Sequence, residues 1–505
     1  MKKCLMTAML AATCTASAET YYVSPDGNDT ATGTSWETAK RTIQAAINAT
    51  KTGDKVVVTD GTYTPITVTD NRFITIESVN GADATIIDGG GTSRCAELSA
   101  APTHTKTLLT GFTLKNGYTP GCGGGAYYGT LSNCTLTANS AGIGGGSFCS
   151  TLYNCTLTGN TATKTVPISS FGFGGGGAYG GTLNNCTLAG NTANFHGGGS
   201  CFGTLNNCLL TGNTTANRGG GVYGATLNNC TLMGNTANGH GGGVYHGTLN
   251  NCTLTNNTAR ENGGGAYNGM LNNCLLAGNT ARRNGGGAYN GMLNNCTFAN
   301  NVATNGGGVY HGGGTNSTCT LNNCTLTGNT AINRGGGSYD ATLNNCLLAG
   351  NTAKGNGGGA YNGNLNNCTL ASNRASDGGG VYRGGDRNST CILTNCIVWG
   401  NVTTSGNFEN NYATYNSPFP VQFFKTYTKP LPYRTLPPDK DIKVPDPCFV
   451  DAANGNFRLQ EMSPCIGRGS TNAVVGVCDL DGKPRIQDGK VDLGAYQFQV
   501  EPTVP

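Results

Sequence analysis

Charge is scarce in this sequence. Asp, Glu, Lys and Arg together make up 11% of the 505 residues, and the formal net charge is +4. So weak and scattered a field argues against nucleic acid as a partner. Between residues 116 and 400 there are ten Lys or Arg but four acids, Glu261, Asp340, Asp377 and Asp386. Glycoside hydrolysis needs paired carboxylates, and a calcium-assisted lyase needs acids for the ion and a basic proton acceptor. Asp377 and Asp386 are the one close pair there, with Arg383 and Arg387 beside them. That group reads as a solvated loop, and no catalytic residue is assigned. Aromatics are 8% of the chain, too few for one large conventional core. Past the N-terminus, no apolar run approaches the roughly 20 residues needed to span a bilayer. The Cys-x-x-Cys and His-paired spacings of zinc sites are absent, so no metal or other cofactor is expected.

Glycine and cysteine fill the space, with 82 and 23 residues. The first 18 residues read as an export signal. Lys2 and Lys3 precede a short apolar stretch, and Ala16-Ser17-Ala18 is an A-x-A cleavage site. A lipobox at Cys14 fits poorly, because Ala11 and Thr13 stand where Leu and a smaller residue belong.

Twelve cysteines, each following Asn or Asn-Asn, recur at Cys134, Cys155, Cys186, Cys208, Cys230, Cys252, Cys274, Cys296, Cys324, Cys346, Cys368 and Cys396, mostly 22 residues apart with two steps of 28. Such a period marks a solenoid, in which each unit buries its face only against its neighbours. Within one unit Leu249, Cys252 and Leu254 point inward, as the alternation of a strand requires. The three-residue step from Leu249 to Cys252 implies a bend at Asn250-Asn251, since Asn tolerates left-handed backbone. Equivalent Asn side chains can then hydrogen-bond along the stack. Val244 and Tyr245 suggest a second short strand after a glycine run that cannot hold a helix. A leucine-rich repeat shares the L-x-x-C-x-L-x-x-N pattern, but the return segment has no apolar helical period. The expected fold is therefore an all-β, right-handed parallel β-helix.

The ends differ from the middle. Apolar residues at helical spacing over 42–49 predict a capping helix before the strand at Lys55. The chain divides into an export signal (1–18), a cap with first coils (19–115), the repeats (116–401), an irregular segment (402–445) and a C-terminal unit (446–505) expected to close the other end.

These residues resemble known families. Tyr21-Tyr-Val-Ser-Pro-Asp-Gly-Asn-Asp, the helix at Ile43 and Gly61-Thr-Tyr resemble the start of pectin-lyase-like right-handed β-helix proteins. The Asn-Cys-Thr-Leu-Thr-Gly-Asn-Thr-Ala and Gly-Gly-Gly-(Ala/Val)-Tyr units are similar to polymorphic outer-membrane-protein repeats of bacterial surface adhesins. The tail, with Asp446-Pro-Cys-Phe-Val-Asp, Ser463-Pro-Cys-Ile and Asp492-Leu-Gly-Ala-Tyr, resembles the choice-of-anchor Q domain of secreted β-helix proteins. The resemblance implies an extracellular or outer-membrane-associated location and leaves activity open.

The cysteine column reads as a stack of small buried hydrophobes, since parallel side chains on neighbouring coils fit bridge geometry poorly. Cys465 and Cys478 are the more suitable pair. Asp479-Leu-Asp481-Gly lacks the remaining ligands of a calcium loop and reads as a turn. Two variable polar columns are the candidate binding residues. One precedes each glycine triplet: His196, Arg218, His240, Asn262, Asn284, Asn305, Arg334, Asn356 and Asp377. The other follows each Tyr: His246, Asn268, Asn290, His311, Asp340, Asn362 and Arg383. Pointing outward, they would form stripes suited to a polysaccharide or cell-surface glycan; ordinary turn polarity is the competing explanation. The functional expectation is adhesion or carbohydrate binding without catalysis, with a polysaccharide lyase or glycoside hydrolase as the alternative.

Overall fold

The computed structural model describes residues 18–70, 72–99, 107–164, 174–313, 319–385, 390–405, 408–415, 420–430 and 445–499. The expected export signal, apart from Ala18, lies outside these residues. So do Asp386, Arg387 and much of the irregular segment.

Each coil is bent by residues in the left-handed region, five apart. In the coil that opens at Gly241, these are Gly241, His246, Asn251 and Asn256, with φ of +68°, +50°, +55° and +55°. Glycine and asparagine dominate such positions because other side chains crowd the following carbonyl there. The corners leave room only for short strands: Val244–Tyr245, Thr248–Asn250, Thr253–Thr255 and Thr258–Ala259. Each pairs in parallel with its equivalent one coil on, for example Leu249 with Leu271 and Leu254 with Leu276. The result is the right-handed parallel β-helix, with sheets of 30, 16 and 13 strands. The first sheet carries the Val-Tyr and Thr-Leu-Asn strands, the second Thr-Leu-Thr and the third Thr-Ala.

Inside, Val244, Leu249, Cys252, Leu254 and Ala259 are each no more than 1% exposed. The Val, Leu and Cys columns continue as one core from Tyr21 to Val421. Burying each leucine stabilises by about 1.5–3 kcal/mol, and the same increment recurs in every coil. The glycine triplets follow from sterics. The first glycine takes positive φ; at the second, Gly242, a Cβ would sit 2.5 Å from the carbonyl oxygens of Gly264 and Thr258. Helix α1 (Ile43–Ala49) starts one residue inside the expected span, with Thr42 as N-cap accepting from the Ala45 amide. Its Ile43, Ala46 and Ile47 are buried against the first coils.

The asparagine corner forms as the sequence implies, in two ladders. Asn250 Nδ2 donates to Asn228 Oδ1 at 2.9 Å, and Asn251 Nδ2 to Asn229 Oδ1 at 3.2 Å. A third ladder, unforeseen, lies inside. Asn235 Nδ2 donates to Asn257 Oδ1 at 3.0 Å and to the Leu210 carbonyl at 3.0 Å, while Asn257 Oδ1 also accepts the Asn235 amide at 3.0 Å. This pattern starts at Asn139 and ends on Asn411. Its signal was the Asn before each Thr-Ala, hidden among many asparagines that face solvent.

Two expectations are corrected. Cys465 and Cys478 are not bridged; all the described cysteines are free thiols. Cys465 is buried under Phe449 and Phe457, whereas Cys478 sits part-exposed beside Pro484. The C-terminal unit also packs on the flank of the rod rather than across its end. Its Phe449, Phe457, Leu459 and Leu493 cover Leu347, Ala349, Ala371 and Ile397 on the outer side of the second sheet. Asn395 and Thr369 fasten it by hydrogen bonds to Ser470 and Ala495. Asp479-Leu-Asp481-Gly is the expected turn, with Asp479 Oδ1 accepting the amides of Asp481 and Lys483.

Replacing Asn257 by Ala strips partners from the buried donors of Asn235 and the Leu232 carbonyl. Unsatisfied buried groups cost about 1–3 kcal/mol each, so the urea midpoint should fall sharply, whereas Cys252→Ala should cost about 1 kcal/mol or somewhat more. Equal midpoints for the two variants would contradict the ladder's role. Thiol titration in denaturant should find the described cysteines without adding reductant; thiols that appear only after reduction would mean a disulfide-stapled rod.

Candidate functional site

Alternation in the Val-Tyr strands sends Val inward and Tyr outward. The parallel register then sets successive rings over one another. From Tyr223 through Tyr245, Tyr267, Tyr289, Tyr310, Tyr339 and Tyr361 to Tyr382, the centroids are 4.5–5.5 Å apart and the planes within 19°. Tyr127, Phe148 and Tyr179 form a shorter stack before it. Cys201 takes the ring position between the two, and Phe202 bridges Tyr179 and Tyr223 edge-on at 5.7 and 5.6 Å. Because the faces cover one another, the ladder turns ring edges and phenol groups outward, although Tyr245, Tyr361 and Tyr382 are themselves buried.

The residues before the triplets clasp this ladder from one side. His196 stacks on Tyr223 at 4.3 Å and 7°, and His240 lies over Tyr267 at 4.8 Å. Arg218 sits over Tyr245 at 5.0 Å and Arg334 over Tyr361 at 5.2 Å. Between them Asn262, Asn284 and Asn305 are joined by amide bonds of 3.1 and 2.9 Å. Asp377 is tied to Asn410, accepting its Nδ2 at 3.3 Å.

The expectation of two outward stripes holds only in part. His196 and Arg383 are each 5% exposed and Asn362 is fully buried, whereas His246 and Arg334 are exposed. The second column owes much of its polarity to backbone. His246, Asn268, Asn290, Asp340 and Asn362 all have φ between +50° and +54°, where Asn and Asp are enriched. His311 and Arg383 stand apart from this rule, because each opens a six-residue insertion. Both insertions are anchored alike: the Gly312 amide donates to Asn290 Oδ1 at 2.8 Å and the Gly384 amide to Asn362 Oδ1 at 2.7 Å. The first turns of both fold over the hydroxyls of Tyr289 and Tyr361, leaving no room for a Cβ at either glycine. His311 Nδ1 lies 3.1 Å from the Asp340 carbonyl. The structure therefore brings His311 and Asp340 together; Asp386 and Arg387 lie outside the described residues.

Burial, reinforced by the Arg218 guanidinium, drives the His196 imidazole down to about 4. The same two causes lower His240 and His246. All three are neutral at physiological pH, so the positive charge against these rings comes from Arg218 and Arg334. Glu261 is occupied by an ion pair with Arg283 at 2.8 Å.

A family model described as a periplasmic copper-binding protein (NosD) matches residues 153–324, about a third of the chain. No curated protein matches. Similar solved structures include the pectate lyase Pel9A (14% identity, 95% of this chain and 96% of that one, TM-score 0.26). Others are XylC in complex with xylose (10%, 95% and 98%, 0.30) and the alginate lyase AlyGC (12%, 74% and 75%, 0.28). At such scores they carry no argument about chemistry. The residues of 153–324 do not fit a copper centre. Its His196, His240 and His246 lie against tyrosine rings near the positive Arg218, His311 faces the Asp340 carbonyl, and the buried thiol of Cys319 is pushed up to about 12. Among the described residues no three His, Cys, Asp or Glu side chains are grouped to hold a metal.

The low His196 value has a consequence for stability. Above about pH 6.5 the imidazole is neutral folded or unfolded; as pH falls from there toward 4, only the unfolded chain takes the proton. The melting midpoint should therefore drop across that window, and His196→Phe, which keeps the stack on Tyr223, should flatten the drop. An unchanged profile in the variant would remove His196 as the cause.

Proposed function

We propose that this protein is exported and binds an extended glycan along its tyrosine face without cleaving it, as an adhesin or carbohydrate-binding rod. The observation that carries this reading is the unbroken eight-ring ladder from Tyr223 to Tyr382, clasped by His196, Arg218, His240 and Arg334. At the part-exposed Tyr223, Tyr267, Tyr310 and Tyr339 it presents similar hydrogen-bonding groups on coils stacked about 4.8 Å apart, and a regular polymer can meet such groups at several points at once. The neutral imidazoles suit hydroxyl-rich chains. The 1–18 segment and the likeness of the repeats and tail to surface-adhesin repeats and the choice-of-anchor Q domain favour the cell surface. No helix among the described residues is long and apolar enough to cross a membrane.

A glycan array followed by product analysis of the hits tests this. At least one long glycan should be retained, and its length should be unchanged after incubation with or without calcium. Tyr223→Phe with Tyr267→Phe preserves the stack but removes two hydroxyls, and should weaken retention roughly tenfold. Shortened or unsaturated products would overturn the non-catalytic reading and direct mutagenesis to Asp377, Asp386 and Arg383.

A further inference from the structure

Away from the tyrosine face, a cavity of about 530 Å³ opens at the corner between the second and third sheets. Asp88, Gly90, Gly91, Asn116 and Tyr118 line it. Tyr118 starts the strand Tyr118–Cys122 and is 42% exposed, whereas the ladder tyrosines cover one another. Asp88 is held from three sides: the Gly90 amide donates to Oδ1 at 2.9 Å, Asn116 Nδ2 at 3.1 Å, and Lys115 Nζ stands 3.4 Å from Oδ2. The Gly90 amide above all, with Asn116 and Lys115, keeps this carboxyl below its ordinary range, so it is an ionised acceptor at neutral pH.

The surroundings narrow the ligand. An anion would need spare donors, but the Gly91 amide is given to the Asn116 carbonyl at 2.8 Å and the Gly117 amide to Asn139 Oδ1 at 2.7 Å. A metal ion would need more than one carboxylate already paired with a lysine. What remains is an exposed aromatic ring, a fixed carboxylate whose Oδ2 has only long contacts, to Asn116 Nδ2 at 3.3 Å and Lys115 Nζ at 3.4 Å, and an exposed amide, in a space suited to a small molecule. A pyranose ring matches: one face is C–H, and its rim is hydroxyl. Lys115 offsets the charge of Asp88, which favours an uncharged sugar over an acidic one.

We propose that this corner is a binding site for a neutral pyranose, which lies on Tyr118 and donates hydroxyl hydrogen bonds to Asp88 while Asn116 meets its rim. The site is separate from the tyrosine face and independent of that reading. Saturation-transfer NMR on the full chain, using methyl glycosides of glucose, galactose, mannose and N-acetylglucosamine, should give transfer to at least one, with millimolar affinity. Tyr118→Ala and Asp88→Asn should each weaken that binding roughly tenfold, and Tyr118→Phe should retain it. Tyr118 is a surface position, so Tyr118→Ala remains informative even if the Asp88 variant fails to fold. No transfer to any glycoside, equal transfer with Tyr118→Ala, or tighter binding of methyl glucuronide than of the neutral sugars would overturn the proposal.

Discussion

Everything in this rod depends on holding one coil at a fixed register over the next, and the buried asparagine ladder sets that register. Each amide bonds both the backbone and the side chain of its neighbour, so a coil displaced by one residue would leave several buried polar groups unpaired at once. Parallel strands of two or three residues have too few ladder bonds of their own to enforce this. The glycine triplets add a steric condition, since the coils approach so closely there that no side chain fits.

The outer face is a consequence of that register. Once Val244 and Ala266 are stacked inside, Tyr245 and Tyr267 must be stacked outside. The rings then cover their own faces, so a ligand there would have to meet hydroxyls, edges and flanking groups. The flanking groups arise in two ways. Those before the triplets vary, and His196, Arg218, His240 and Arg334 among them lie on the rings. Those after the tyrosines are constrained by left-handed backbone, so polarity there is first a conformational requirement. The shared anchoring of the two insertions on Asn290 and Asn362 is an example of such a residue acquiring a second use.

Small changes along one column decide what covers the rod. On the second sheet the outward positions are mostly threonine. At Leu347, Ala349, Ala371 and Ile397 they are apolar and buried beneath the C-terminal unit. Leu209 and Leu275 occupy the same column but are 37% exposed. An apolar residue there permits coverage without specifying it; the hydrogen bonds from Asn395 and Thr369 supply the position.

The sequence by itself determined the solenoid, the inward Leu and Cys columns, the Asn-Asn corner and the short helix near Ile43. Each of these is local or strictly periodic, and a period forces equivalent residues into equivalent environments. It could not separate the buried asparagine column from the exposed ones, because all are Asn at the same spacing and only the path of the coil says which faces inward. It could not tell a polar stripe from a left-handed corner, because both select Asn, Asp and His. It did not place the C-terminal unit on the flank, nor join Asp88 to Asn116 and Tyr118 across the coil boundary. Those are contacts between segments distant in sequence, and only the closed path of the coils brings them together.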